Sequence, residues 1–167
     1  MAIIWCITGA GHLLRESLDA MKKSSDEVTV VFSAAGHEVA MMYHLFDEVK
    51  AVAKNMVFED GQGESSPFCG KMYEKKYTKV IIAPATANTV AKLASGIADS
   101  LVTNVAAQAL KRRVPVIVVP TDFEGKETSM TPDGRRVEVY PRQVDLDNLE
   151  KLKREGVVVV NNPKNLP

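Results

Sequence analysis

Six consecutive residues, Pro84-Ala85-Thr86-Ala87-Asn88-Thr89, concentrate the chemistry of this chain. The five after Pro84 are small, hydroxylic or a carboxamide, so backbone amides and short polar side chains can close on a ligand. They follow the apolar run Lys79-Val80-Ile81-Ile82-Ala83, which reads as a buried strand, and precede Val90-Ala91-Lys92-Leu93-Ala94, which reads as a helix. Pro84 has no N–H to give a ladder and is expected to end the strand. A helix N-terminus that begins this way suits an anion such as phosphate. The same residues also make an ordinary capped strand-to-helix turn.

The elements that must position this turn are apolar strands alternating with helices. Strands are expected at Ala2 to Ile7, Val28 to Phe32, Val57-Phe58, Val80 to Ala83, Val114 to Val119 and Val157 to Val160. Helices are expected over Leu13 to Lys22, Glu38 to Leu45, Thr89 to Leu93, Asp99 to Leu110 and Leu146 to Glu155. Strands that are apolar throughout indicate a parallel sheet covered on both faces. The expected fold is a doubly wound α/β domain, Rossmann-like or flavodoxin-like, with about six strands. Glu59 to Tyr77 reads as a long loop with a short helix at its end. Thr121 to Pro141 reads as a second excursion, a β-hairpin of Glu127 to Met130 and Arg136 to Tyr140 around Pro132-Asp133-Gly134. Each could be a lid, an oligomer contact or surface decoration. No linker or repeat divides the chain, so one domain over residues 1–167 is expected.

Open α/β sheets bind ligands beyond the carboxyl ends of their strands. Four turns should meet there: Thr8-Gly9-Ala10-Gly11-His12, Ser33-Ala34-Ala35-Gly36, the Pro84 motif, and Pro120-Thr121-Asp122-Phe123. Gly9-Ala10-Gly11 is not a full dinucleotide fingerprint, because Leu14 stands where a third glycine belongs. Ser33, not an acid, closes the second strand, so no carboxylate waits there for a ribose. The set favours a mononucleotide whose phosphate is held by Ser33, the Gly9–Gly11 amides and Thr86 or Thr89.

The bulk numbers exclude several classes. Lys plus Arg and Asp plus Glu both number 21, which is not the basic footprint of a nucleic-acid binder. Two cysteines among 167 residues are too few for a disulfide framework or a four-thiolate metal site, and no metal is expected. No stretch approaches the roughly 20 apolar residues of a membrane span. The chain opens directly on a strand with no basic leader, so a cytoplasmic protein is expected.

Pro84-Ala85-Thr86-Ala87-Asn88-Thr89-Val90-Ala91-Lys92, followed by Gly96-Ile97-Ala98-Asp99-Ser100-Leu101-Val102-Thr103, resembles the flavin-binding signature of the homo-oligomeric flavin-containing cysteine decarboxylase superfamily. That family usually has Ser where Thr86 stands. The similarity extends through Thr8-Gly9 and Ser33-Ala34. Gly63-Glu64-Ser65 through Cys69-Gly70 and Val119-Pro120-Thr121-Asp122 are most similar to the branch of archaeal flavoproteins and acceptor-type dihydromethanopterin reductases.

The resemblance implies FMN. By matching position, Gly9, Gly11 and Ser33 would hold its phosphate side, and Thr86, Asn88 and Thr89 its phosphate, ribityl chain or ring. Asp99, Ser100, Leu101 and Thr103 would line the isoalloxazine, some from a neighbouring subunit. Thr8, Ala10, Ala34, Pro84 and Ala85 complete the set. The resemblance also implies trimers or multiples of trimers with flavin at subunit interfaces. Two departures narrow the reaction. The decarboxylases carry a histidine before the strand leading into the Pro84 motif, whereas this chain has only His12, His37 and His44. They also carry a Pro-x-Met-Asn clamp after strand five, where this chain has Pro120-Thr121-Asp122-Phe123.

Single residues carry smaller expectations. His12 could contact flavin or substrate, or simply open its helix in solvent. His37 sits at another helix start, and His44 reads as a surface or interface residue. Cys6 reads as a core thiol. Cys69 falls where the family places its catalytic segment and could be redox-active or, across subunits, ligate a cluster. Asp122 could be an acid or base, or a turn cap. Lys71, Lys75, Lys76 and Lys79, near Tyr73 and Tyr77, form either a dock for an acidic electron carrier or a solvated face. The expected function is an FMN-dependent oxidoreductase that passes electrons from a reduced carrier such as ferredoxin to an organic acceptor such as a pterin. The alternatives are a decarboxylase or flavin prenyltransferase of the same superfamily, or a non-catalytic flavin-binding subunit.

Overall fold

The computed structural model describes residues 1–62, 65–74 and 77–167. Gly63 and Glu64, and Lys75 and Lys76 of the basic stretch, lie outside the described residues. Six parallel strands run in the order β3-β2-β1-β4-β5-β8, with β1 (Ala2–Ile7), β2 (Glu27–Phe32), β3 (Asn55–Phe58), β4 (Tyr77–Ala85), β5 (Val116–Pro120) and β8 (Val158–Val159). Helices α1 (Leu14–Lys23), α2 (Ala34–Met42), α3 (Phe46–Val52), α4 (Pro67–Lys71), α5 (Ala87–Ala94), α6 (Leu101–Lys111) and α7 (Gln143–Arg154) connect them. A separate antiparallel hairpin, β6 (Glu127–Met130) with β7 (Arg136–Val139), stands off the sheet. No helix among the described residues is long and apolar enough to cross a membrane.

β1 and β5 are apolar at every position, as is β4 from Val80 onward, because both sheet faces are covered. Ile3, Trp5 and Ile7 of β1 enter one core with Leu14, Leu18 and Met21 of α1. Ile4 and Cys6 enter the other with Val102, Val105 and Ala106 of α6. The alternation repeats in β4, where Val80 and Ile82 face one core and Ile81 and Ala83 the other. Trp5 is buried on this plan, and its indole Nε1 donates to the Ala83 carbonyl at 2.9 Å, tying β1 to β4.

Several boundaries differ from the sequence reading. Pro84 does not end its strand; β4 continues to Ala85 through a cis Ala83–Pro84 peptide and an irregular register against β5. A proline is tolerated where the ladder is already interrupted. α2 begins at Ala34, four residues before the expected Glu38, because Ser33 caps it. α3 was not expected from the sequence; its Val49 is buried between charged neighbours. α4 sits inside the long loop, and α5 and α7 also start earlier than Thr89 and Leu146. Lys79 departs from the expected basic patch: it faces Asp26 at 3.7 Å and donates to the Pro167 carbonyl at 3.1 Å, toward the amino edge of the sheet.

Candidate functional site

The strand order sets the location. The chain builds outward through β1, β2 and β3, then returns to place β4 on the other side of β1. The crevice at that reversal, beyond the carboxyl ends of β1 and β4, is where such sheets bind ligands. Thr8 joins the two strands there. Its buried hydroxyl donates to the Pro84 carbonyl at 2.8 Å and accepts from the Thr86 amide at 3.0 Å. Thr8 therefore holds the first turn and the Pro84 motif in one piece.

The expected hydroxyls are gathered at this edge, each at a helix start. Ser33 Oγ accepts from the Gly36 amide at 2.9 Å and caps α2. Thr86 Oγ1 accepts from the Thr89 amide at 3.2 Å, lies 3.0 Å from Thr89 Oγ1, and caps α5. Ser100 and Thr103 form a reciprocal capping box at the start of α6, with bonds of 3.0 and 3.2 Å. Capping satisfies donors that the first helical turn otherwise leaves bare. Thr8, Thr89, Leu101 and Thr103 are buried, Ser33, Thr86 and Ser100 are half-buried, and Asn88 and Asp99 are exposed. Lys92 Nζ lies 2.7 Å from the Asp99 carboxylate and holds it below the usual carboxylate range.

The glycines set the clearances. A Cβ on Gly9 would stand 2.6 Å from the Ala35 Cβ, so the first turn packs directly on the start of α2. A Cβ on Gly11 would strike the Tyr43 ring at 2.1 Å. The amides of Gly9 and Gly11 have no partner among the described residues. Bare backbone donors beside hydroxyl-capped helix starts are the donor set a phosphate ester takes. The polar chain and ring edge of FMN fit the same mixture of amides, hydroxyls and the Asn88 carboxamide.

Two residues that the sequence reading passed over belong here. Glu59, directly after β3, accepts from the Ala34 amide at 2.8 Å and from the Leu101 amide at 2.7 Å. Tyr43 covers Gly11 and donates to the Met130 carbonyl at 2.7 Å, docking the hairpin on the chain's own first turn. Beneath the hairpin lies a cavity of about 230 Å³, lined by Gly11, His12, Tyr43, Asp122, Glu127 and Met130 among others. His12 Nε2 and Glu127 Oε2 face each other at 3.6 Å, and Thr121 Oγ1 donates to Asp122 at 2.7 Å.

The remaining candidates lie apart. Cys69 is buried among Phe68, Met72 and the α6 valines, where burial pushes its thiol up to about 11. Cys6 is deeper still, its thiol pushed higher by burial and then by Cys69. His37 packs against Phe32, Phe46 and Phe58, with ring centroids 5.8, 5.1 and 4.8 Å away. Tyr73 is held by Gln108 at 2.9 Å and by Arg112, 4.6 Å above its ring.

Comparison with known proteins finds one family and one fold. A family model described as Flavoprotein matches residues 1–166. The acceptor-type dihydromethanopterin reductase of Methanocaldococcus jannaschii is 47% identical over 134 residues, which are 74% of this chain and 54% of that protein. The reductase of the same name from Methanosarcina mazei is 43% identical over 140 residues, 78% of this chain and 59% of that one. The chain thus spans little more than half the length of these two relatives. Among solved structures, Burkholderia xenovorans DmrB in complex with FMN, described as a cubic protein cage for redox transfer, superposes with a TM-score of 0.84. It is 35% identical, over 95% of this chain and 87% of that one.

Proposed function

The chain belongs to the Flavoprotein family, and from that premise we propose that it is an FMN-dependent oxidoreductase. It takes electrons from a reduced carrier of the ferredoxin kind and passes them to an organic acceptor of the pterin class. The observation that carries the reading is the convergence of three hydroxyl-capped helix starts and two unpartnered glycine amides at the β1–β4 reversal. The reductase names of the relatives and the FMN bound to DmrB support it.

FMN, when bound, supplies the electron or hydride transfer. The chain's own residues bind and orient it. We assign the phosphate to the unpartnered amides of Gly9 and Gly11 with the Ser33 hydroxyl, Ala10 and Ala34 lining the same two turns with their own amides already bonded to Thr8 and Glu59. We assign the ribityl chain and ring edge to the segment Pro84 to Thr89, with Thr86 and Asn88 foremost, and the ring to Asp99 through Thr103. Thr8 keeps the first two of these turns together. Reducing an organic acceptor also takes up protons, and we assign that task to His12 and Asp122, which share one cavity under the hairpin. Glu127 orients His12. Cys69 has no place in this scheme, since a thiol raised to about 11 is not a nucleophile at neutral pH.

The proposal extends to assembly and place. One flavin-binding domain spans residues 1–167, acts in the cytoplasm, and assembles as a trimer or multiple of trimers with flavin at the interfaces. The purified protein is expected to be yellow, with a flavin absorption spectrum that bleaches on reduction and recovers when a dihydropterin is added. A colourless protein that ignores added FMN would falsify the reading.

A further inference from the structure

Glu59 bonds to two helices at once. Ala34, whose amide meets Oε2 at 2.8 Å, is the first residue of α2, and Leu101, whose amide meets Oε1 at 2.7 Å, is the first of α6. The two helices lie on opposite faces of the sheet. Ala40 of α2 is in one core, and Val102, Val105 and Ala106 of α6 are in the other. A single carboxylate therefore staples the two layers together over the carboxyl edge. A negative charge is favoured at both helix N-termini, and both bonds are charge-assisted.

The position of the staple matters more than its strength. Ala34 follows Ser33, and Leu101 follows Ser100, two of the three hydroxyl caps at the candidate flavin site. Each cap serves only its own helix: Ser33 bonds Gly36, and Ser100 bonds Thr103. Glu59 spans the two, reaching 25 residues back and 42 forward along the chain. Its own backbone is anchored directly after β3, whose Phe58 pairs with Phe32 of β2. The carboxylate thus fixes the spacing between the turn assigned to the phosphate and the turn assigned to the ring.

We infer that Glu59 is a positioning residue that sets this spacing, and through it the preference for FMN over a flavin without a phosphate. The inference rests on the FMN reading above. Only a ligand that spans both turns senses their separation. Riboflavin, held at the ring end alone, does not.

The test is the isosteric variant Glu59→Gln, titrated with FMN and with riboflavin by fluorescence quenching, beside thermal melting of the flavin-free protein. A carboxamide accepts through one atom and turns an NH₂ toward the other amide, so one of the two bonds is lost. FMN binding is expected to weaken about tenfold, riboflavin binding to change much less, and the melting temperature to move by only a few degrees. Glu59→Asp, which keeps the charge on a shorter arm, is expected to recover part of the FMN preference. Equal losses for both flavins, in step with a large fall in melting temperature, would make Glu59 an ordinary stabilising contact. Tighter FMN binding by the variant would make the carboxylate a competitor for the phosphate. Unchanged FMN binding would also overturn the inference, while leaving the FMN reading intact. A wild type that binds neither flavin would overturn both.

Discussion

The two edges of the sheet are built on different plans. At the amino edge lies the larger hollow, about 520 Å³, walled by Ile3, Trp5, Asp26, Lys79 and Ile81 among others. Its polar contacts are made by side chains and chain ends: Lys79 reaches Asp26 at 3.7 Å and the Pro167 carbonyl at 3.1 Å, and the Met1 amine reaches Asp26 at 3.2 Å. At the carboxyl edge the cavity under the hairpin is less than half that size, and beside it the hydroxyls of Thr8, Ser33, Thr86 and Ser100 are each bonded to a helix start or a neighbouring turn. The difference follows from the parallel topology. Helices that return antiparallel to the strands begin at the carboxyl edge, so their bare amides and positive ends collect there. Volume alone would select the amino edge; the orientation of backbone donors selects the other.

The harshest way to break the comparison is Gly36→Ala. A Cβ there would lie 2.1 Å from the Ile7 carbonyl oxygen, a backbone atom that cannot swing away. The carboxyl edge should lose about 3 kcal/mol of stability, read by denaturant unfolding. A loss below roughly 1 kcal/mol would mean the turn after β1 and the start of α2 are not locked together as described.

A milder pair sets the two edges against each other. Thr8→Val keeps the shape but removes the hydroxyl that joins Pro84 to Thr86, leaving the Thr86 amide without its acceptor. It should cost about 2 kcal/mol and weaken FMN binding. Lys79→Met at the amino edge breaks a long ion pair, should cost under about 1 kcal/mol, and should leave FMN affinity unchanged. If the Lys79 variant loses flavin and the Thr8 variant does not, the site has been put at the wrong edge. Calorimetric titration with FMN decides it.

Much of this edge was legible in the sequence because strands buried on both faces leave an unmistakable apolar trace. Ala2 to Ile7 is read residue for residue, and the hairpin around Pro132-Asp133-Gly134 is read nearly so. The helix starts were harder. Ala34-Ala35-Gly36 and Ala87-Asn88 have no apolar period, so α2 and α5 were expected to start later than the hydroxyl caps that begin them. Glu59 shows where local reading ends. No carboxylate closes β2, where Ser33 stands. The acid that reaches this turn closes β3 instead, and its partners at Ala34 and Leu101 meet it only once the sheet has formed. Tyr43 went unnoticed for the same reason, since its partner Met130 is 87 residues away.

The smallest effect comes from a cap that titrates. At the start of α7, Asp145 accepts from the Arg142 amide at 2.9 Å and from its guanidinium at 2.8 and 3.0 Å. The guanidinium and the amide favour the charged carboxylate, so the folded protein holds Asp145 below the ordinary carboxylate range. A depressed folded pKa contributes stability that is fully present above the unfolded value, about 4, and is lost as pH falls through the folded one. Unfolding followed from pH 6 downward should therefore show a decline that Asp145→Asn removes, the variant being less stable near neutrality but converging with the wild type in acid. The bonds of Asp145 go to Arg142 at its own helix start and not to the turns assigned to flavin, so flavin affinity should not follow its titration. An FMN affinity that falls together with the Asp145-dependent stability would instead couple α7 to the flavin turns, and the carboxyl edge would then act as a single cooperative unit and not as separately capped helices.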